Sequence, residues 1–406
     1  MKILVVCQYY YPEPFRINDI CEELVRRGHE VVVVTGEPNY PEGKIYKGYE
    51  HHQKSDEMIG GVKVHRCPIF PRKAGPIYRL LNYFSYPYLA KRYIRNLKAF
   101  DGKNFDIVFT NQLSPVMMSL PAIDYKKRYG VPVLMYCLDL WPHSLIAGGI
   151  STKSGVYKGF HRISKNIYTK MDRILISSKM FRAYLVNEFG IETSRIHYLP
   201  QYAERLFEKL PYRKTDKIIN FVFAGNIGVI QNIETILEAA KKLEGDPFHF
   251  HIVGGGTDLD RLRQIAKGLK NVTFYGRLPL EEMPEIYAKA DAMLVTLQAD
   301  PVLSLTLPGK VQSYMAVGKP IIGAINGETA NVIKDAQCGY CGPAEDVDIL
   351  VHNIRRFRCC NEKERLGKNA RRYYEAKFGR EIFMNTLEGE LLRVCEGRGS
   401  NISVDE

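Results

Sequence analysis

Two successive rounds of strand and helix confine this chain to the α/β class. From Lys2 it runs as an apolar strand KILVVCQYY, a loop YPEPF, an amphipathic helix RINDICEELVRRG and a second apolar strand HEVVVVTG. Strands this uniformly apolar are buried on both faces of a parallel sheet, and strand, helix, strand is the unit that builds one. Further strands are predicted at VKVHRCPI, DIVFTN, VPVLMYCLD and RILISS, separated by helix-period sequence. Around residues 202–217 the periodicity fades, then INFVFAGNIG restarts it, and FHFHIVGGG, NVTFYG, DAMLVTL and KPIIGA continue it. The expected architecture is two Rossmann-like doubly wound domains, 1–200 and 201–375, facing across a cleft at the carboxyl ends of their strands. A helical stretch over 376–396 and a polar tail, 397–406, close the chain.

At 406 residues the chain exceeds one ordinary core, which agrees with two domains. No stretch approaches the roughly 20 apolar residues of a spanning helix. The opening MKILVV runs into CQYYYPEP instead of a small-residue cleavage site, so a cytoplasmic protein is expected. The nine cysteines are scattered; Cys338 and Cys341 form a C-x-x-C, but no second pair answers it as a zinc site would need. A net charge of +12 points to an anionic partner. No helix-turn-helix, zinc-finger or RNP pattern accompanies it, so nucleic acid is not expected.

The segment Thr306–Tyr340 carries the clearest chemistry. Pro308 and Gly309 open a helix that Gly318 closes, and Lys310 stands at its start. Unpaired helix-start amides and a lysine suit a diphosphate; a buried amphipathic helix with a lysine at its edge is the alternative. Gly225-Asn226-Ile227-Gly228 follows the first strand of the second half, where small residues permit close backbone approach to a phosphate or ribose. An ordinary strand-to-helix turn is the other reading. Gln231, beside it, offers an amide for the same ligand.

In order and spacing these motifs resemble the retaining GT-B glycosyltransferases of the large family-4 type, which serve bacterial polysaccharide assembly. The first half matches through YYPEP and GHEVVVVTG, LDLWP at 138–142, and ISSKMFRAYLVNEFGI. The second matches through FAGNIG, IVGGG, FYGRLPLEEMPEIYAKAD, LPGKVQSYMAVGKPII, NGE and CG. The resemblance covers nearly the whole chain. It implies a C-terminal domain binding a nucleotide diphosphate sugar, an N-terminal domain binding the acceptor, and a last helix that crosses back to the N-domain. With no Asp-x-Asp beside a predicted strand end, metal-free stabilisation of the leaving diphosphate is expected, from Lys310, Gly309 and amides near Thr306 and Leu307. Arg277 falls where the nucleotide base is gripped, or pairs with Glu281 or Glu282. Glu328 either helps at the sugar or supplies helix N-terminal charge.

Departures from the family pattern are as telling. Many members carry two glutamates eight positions apart, for the sugar and the ribose, and Leu305 and Ser313 occupy those places here. Ser313 retains a ribose hydrogen bond; Leu305 suits a deoxy or less polar sugar. The glycine pair after the first strand is replaced by Phe15 and Arg16, so Arg16 either meets a phosphate or simply starts a helix. Glu13 in that loop is an acceptor-orienting candidate. Asp139 ends a predicted strand, a position for catalysis or for capping a helix. Leu138 replaces a frequent histidine, for which His143 is a substitute. Trp141, the sole tryptophan, packs a sugar or lipid face, or else lies in the core.

Residues 76–98 place apolar side chains at 86, 89, 90, 93, 94 and 97, with Lys91, Arg92, Arg95 and Lys98 between them; a second basic stretch carries Lys158 and Arg162. Either these helices lie on an anionic bilayer, or they pack on the domain with solvated cationic faces. The expected activity is hexosyl or N-acetylaminosugar transfer from a UDP-linked donor to a lipid-linked saccharide, by a protein peripheral to the inner face of the cytoplasmic membrane. A GT-B nucleotide-sugar epimerase and a non-catalytic nucleotide-sugar-binding scaffold are the alternatives.

Overall fold

The structure, a computed structural model, describes residues 1–72, 75–207 and 217–397, so the polar tail beyond Gly397 and residues 208–216 of the expected linker lie outside the described residues. The chain forms two compact units: Met1–Ser177 with Phe181–Leu199 and the chain from Met384, and Ser178–Met180 with Pro200–Phe383.

The first unit holds β1 (Lys2–Val6), α1 (Arg16–Arg26), β2 (Glu30–Gly36), β3 (Asp56–Ile59), β4 (Val62–Cys67), α2 (Pro76–Ile94), β5 (Ile107–Gln112), α3 (Leu120–Tyr129), β6 (Val133–Cys137), α4 (Gly155–Tyr168), β7 (Arg173–Ile176), α5 (Phe181–Phe189) and β8 (Ile196–Tyr198). The strands lie in the order β3-β4-β2-β1-β5-β6-β7-β8. All neighbours are parallel except β3 against β4, and Leu4 at the centre is level with Val32 and Val108. Ile3 to Val6 and Val31 to Val34 are wholly buried, as the uniform apolar runs require. The polar DEMI of β3 gives no such signal, and this short antiparallel edge strand was not predicted. Gly28 ends α1 with φ +87°, a left-handed turn that glycine enters without a Cβ penalty.

The second unit holds β9 (Ile219–Ala224), α6 (Glu234–Lys242), β10 (Phe248–Val253), α7 (Leu259–Ile265), β11 (Val272–Gly276), α8 (Met283–Lys289), β12 (Ala292–Thr296), α9 (Gly309–Ala316), β13 (Ile321–Ala324), α10 (Glu328–Asp335), β14 (Gly339–Gly342), α11 (Val347–Arg358) and α12 (Lys363–Lys377). Its sheet is parallel throughout, in the order β11-β10-β9-β12-β13-β14. One face packs Val222, Met293 and Ile321 against α8, α9, α10 and α12, and the other packs Phe221, Phe250 and Ile322 against α6 and α11.

The last helical stretch is interrupted at Phe378 and Gly379, after which α13 (Arg380–Glu396) begins. From Met384 this helix belongs to the first unit, eight residues later than the predicted start of the return. Met384, Leu387 and Leu391 are fully buried there. Arg27 Nη1 reaches Glu388 at 2.9 Å and Arg173 Nη1 reaches Glu390 at 2.8 Å.

The stripe of α2 expected to face a membrane needs correction. Tyr86, Ala90 and Ile94 are fully buried and form the inward face of the helix. Arg95 lies 3.6 Å from Asp124, while Arg92, Lys158 and Arg162 are exposed.

Candidate active site

In the second unit, loops at the carboxyl ends of β9, β10 and β11 meet the start of α9. Gly225 has φ +141°, and a methyl group on Gly254 would stand 1.8 Å from the Gly225 carbonyl oxygen, so the two loops touch through bare backbone. The Gly225 amide donates to Val253 and the Gly254 amide to Gly276. Gln231 Oε1 accepts from the Gly228 amide and from Asn226 Nδ2, both at 3.1 Å, which sets the loop's course. Arg277 is exposed beside the Gly255 backbone and forms no ion pair among the described residues, so its expected link to Glu281 or Glu282 is not made.

Pro308 leads into α9 with extended backbone, and Lys310 occupies the helix's first turn. Its Nζ is buried without a hydrogen-bond partner, 3.7 Å from the centre of the Phe223 ring. A Cβ on Gly225 would stand 2.8 Å from that nitrogen. Burial pulls the amine down to about 7. The ring face compensates only part of the lost hydration, which leaves the amine underpartnered where it stands.

One helical turn further on, Ser313 Oγ donates to Glu204 Oε2 at 2.9 Å. A carboxylate from far outside the motif thus stands beside the place where the family's second glutamate is missing. No sequence signal singled out Glu204. The Thr306 amide is already committed to the Leu303 carbonyl, and the Leu307 side chain is packed into the core.

In the first unit, polar groups gather at the carboxyl ends of β1, β2, β4 and β6. Burial raises the Asp139 carboxyl to about 6, opposed by hydrogen bonds from Ser144, Leu140 and Trp141 and by the charge of Arg72. Arg72 also hydrogen-bonds Tyr9, and its amide donates to Asn39 Oδ1 at 3.0 Å. Neither Arg72 nor Asn39 was picked out from sequence. Tyr9, Phe15 and Tyr40 form an aromatic cluster with ring centres 5.2 to 5.8 Å apart.

Both units match families of one enzyme class. Residues 15–201 match the glycosyl transferase 4-like domain, and residues 203–373 match the glycosyl transferases group 1. The chain belongs to the family-4 type of GT-B glycosyltransferases. It is 26% identical over 431 aligned positions to WcaI of Escherichia coli K12, named for colanic acid biosynthesis as a glycosyl transferase, covering 96% of this chain and 100% of WcaI. Sucrose-phosphate synthase of Thermosynechococcus elongatus shares the fold at TM-score 0.74 and 16% identity, over 97% of this glycosyltransferase and 98% of that chain. Anabaena HepE, solved with UDP and glucose, does so at 0.66 and 13%, with both chains fully covered.

Several predicted side chains have other surroundings in this glycosyltransferase. Trp141 is fully buried between Tyr83 and Phe160, and its Nε1 donates to Ser114 at 3.0 Å, so it is core and presents no face to an acceptor. Glu13 is also wholly buried: Oε1 accepts from the Asn39 and Tyr40 amides at 2.8 and 2.6 Å, tying the β1 loop to the β2 loop instead of reaching an acceptor. Burial lifts its carboxyl to about 7. Glu328 begins α10, is 3% exposed and accepts from the Lys179 amide at 3.3 Å. Arg16 opens α1, and His143 lies edge-on to Tyr184 with ring centres 6.1 Å apart.

Proposed function

We propose that this glycosyltransferase moves a sugar from a UDP-linked donor, with retention at the anomeric carbon, to a lipid-linked saccharide in bacterial surface polysaccharide assembly. The observation that carries the donor side is the buried, unpartnered Lys310 amine facing the Gly225 loop. As the bond to the donor sugar breaks, charge grows on the departing diphosphate, and a preorganised cation at a helix start stabilises it without a metal ion. Arg277 supports the nucleotide, and Ser313 with Glu204 takes the ribose hydroxyls. In retaining transfer, a diphosphate oxygen accepts the proton of the incoming hydroxyl, so no separate nucleophile is required. Asp139, with Arg72 beside it, orients the acceptor. UDP in the HepE structure and the name of WcaI support the donor and pathway readings.

The test is transfer of label from a panel of UDP-sugars to a lipid-diphosphate saccharide in the presence of EDTA. Labelled acceptor with the donor's anomeric configuration is expected, and chelation should leave the rate unchanged. Altered free nucleotide-sugar without acceptor would identify an epimerase, and binding with neither product would identify a scaffold. In the same assay Glu204→Gln should weaken UDP binding; unchanged affinity would remove Glu204 from the donor site.

A further inference from the structure

Helix α2 is apolar on two sides. Tyr83, Tyr86, Ala90 and Ile94 face inward, whereas Ile77, Leu80, Leu81, Phe84 and Tyr88, spaced at i, i+3, i+4, i+7 and i+11, face outward. A helix on a domain surface normally turns polar residues outward; here Ile77 and Tyr88 are each 70% exposed. With Phe70, Leu120 and Lys91 these outward side chains line a groove of about 590 Å³. Lys91 also belongs to a basic neighbourhood. The Lys170 amine is held below its ordinary value by burial first, then by the charges of Lys127 and Lys91. Lys127, Lys170 and Arg195 line a second cavity of about 640 Å³, in which Asp172 already pairs with Lys126 at 2.6 Å. Lys91, a lining residue of the apolar groove, therefore lies within electrostatic range of Lys170, beside which Lys127 and Arg195 add further positive charge.

We propose that the outward face of the first half of α2, with the Lys91–Lys127–Lys170 cluster, docks the enzyme on an anionic bilayer, apolar side chains entering the acyl boundary and lysines meeting headgroups. The proposal rests on the reading that the acceptor is lipid-linked. Both signals that reversible surface attachment needs, an apolar face and nearby positive charge, are present on this unit, with Lys91 common to both. Charge disfavours a second copy as the occupant: the chain carries +12, and pairing this patch with itself would juxtapose two lysine clusters. The surface differs from the one the sequence pattern indicated, because the stripe through positions 86, 90 and 94 is spent on the domain core.

The experiment is co-sedimentation of the full chain with phosphatidylcholine vesicles, with and without phosphatidylglycerol. Wild type should bind the anionic vesicles at least tenfold more strongly. The triple variants Ile77→Ser/Leu81→Ser/Tyr88→Ser and Lys91→Glu/Lys127→Glu/Lys170→Glu should each lose at least tenfold. All substituted positions are at the surface, and circular dichroism and melting temperature verify the fold. With a short-chain acceptor in detergent the serine variant should turn over as wild type does, and with vesicle-embedded acceptor it should slow. Sedimentation of either variant equal to wild type overturns the proposal. So does a wild-type dimer in analytical ultracentrifugation that the serine variant abolishes, which would assign the face to self-association. Vesicle binding lost in the variants, with no transfer to any lipid acceptor, would leave docking standing and remove the acceptor reading.

Discussion

In the proposed donor site Lys310 faces two opposed demands. Its ammonium must be charged to hold a diphosphate, yet burial without a hydrogen-bond partner pulls the amine to about 7. Since the folded value lies below the unfolded one, the penalty is full below pH 7 and relaxes as pH rises toward the unfolded value. Lys310→Met should therefore stabilise the nucleotide-free protein by about 2 kcal/mol near pH 7, a figure discounted for the partly exposed stem, while abolishing the UDP-induced rise in melting temperature. Scanning calorimetry with and without UDP checks both; a destabilised variant that still responds to UDP would contradict this role. Binding should also take up a proton, so UDP affinity should fall as pH rises above about 7. The helix start at Lys310 and the turn at Gly225 were legible because a Pro-Gly helix start and a glycine after a strand are local signals. Glu204 was not, for it meets Ser313 across 109 positions of chain. Trp141 and Glu13 were misjudged for the related reason that a loop residue's burial is decided by what packs over it.

Periodicity identifies elements better than it orients them. FHFHIV alternates, and β10 indeed sends Phe248, Phe250 and Ile252 to one face and His249 and His251 to the other. His251 Nδ1 and Nε2 lie 2.8 Å from the Tyr275 hydroxyl and 3.0 Å from Asn220 Oδ1. Burial, with the charges of His249 and Lys289, lowers the imidazole to about 4. The unfolded chain binds this proton more readily, so stability contributed by the neutral ring is present above pH 6.5 and lost as pH falls toward 4. Replacing it by His251→Gln should flatten the acid limb of the stability curve by at most about 3 kcal/mol, measured by urea unfolding between pH 4 and 7. An unchanged acid slope would place the titration elsewhere. Helix α2 shows the converse: with apolar residues on both sides, its spacing cannot tell the inward stripe from the outward one, and only the sheet beneath it selects Tyr86 and Ile94 for burial.

The two units are tied into one chain path by α13, which starts with the second and ends in the first. Leu391 is fully buried there, so Leu391→Ala should destabilise the first unit by about 3 kcal/mol, read as a lowered melting transition in calorimetry. Loss of less than about 1 kcal/mol would mean that the end of α13 contributes little to that unit. The division into two α/β halves and most of their strands follow from local alternation and turn chemistry, because apolar period and glycine placement act over a few residues. Strand order, the antiparallel β3, the entry point of α13, the pairing of Glu204 with Ser313 and the outward apolar face of α2 depend on which surfaces meet, and those meetings join residues far apart in the chain. Local sequence therefore settled the class of fold and the helix start at Pro308 and Gly309, while tertiary packing decided which side chains stand at the surface and which are consumed as core.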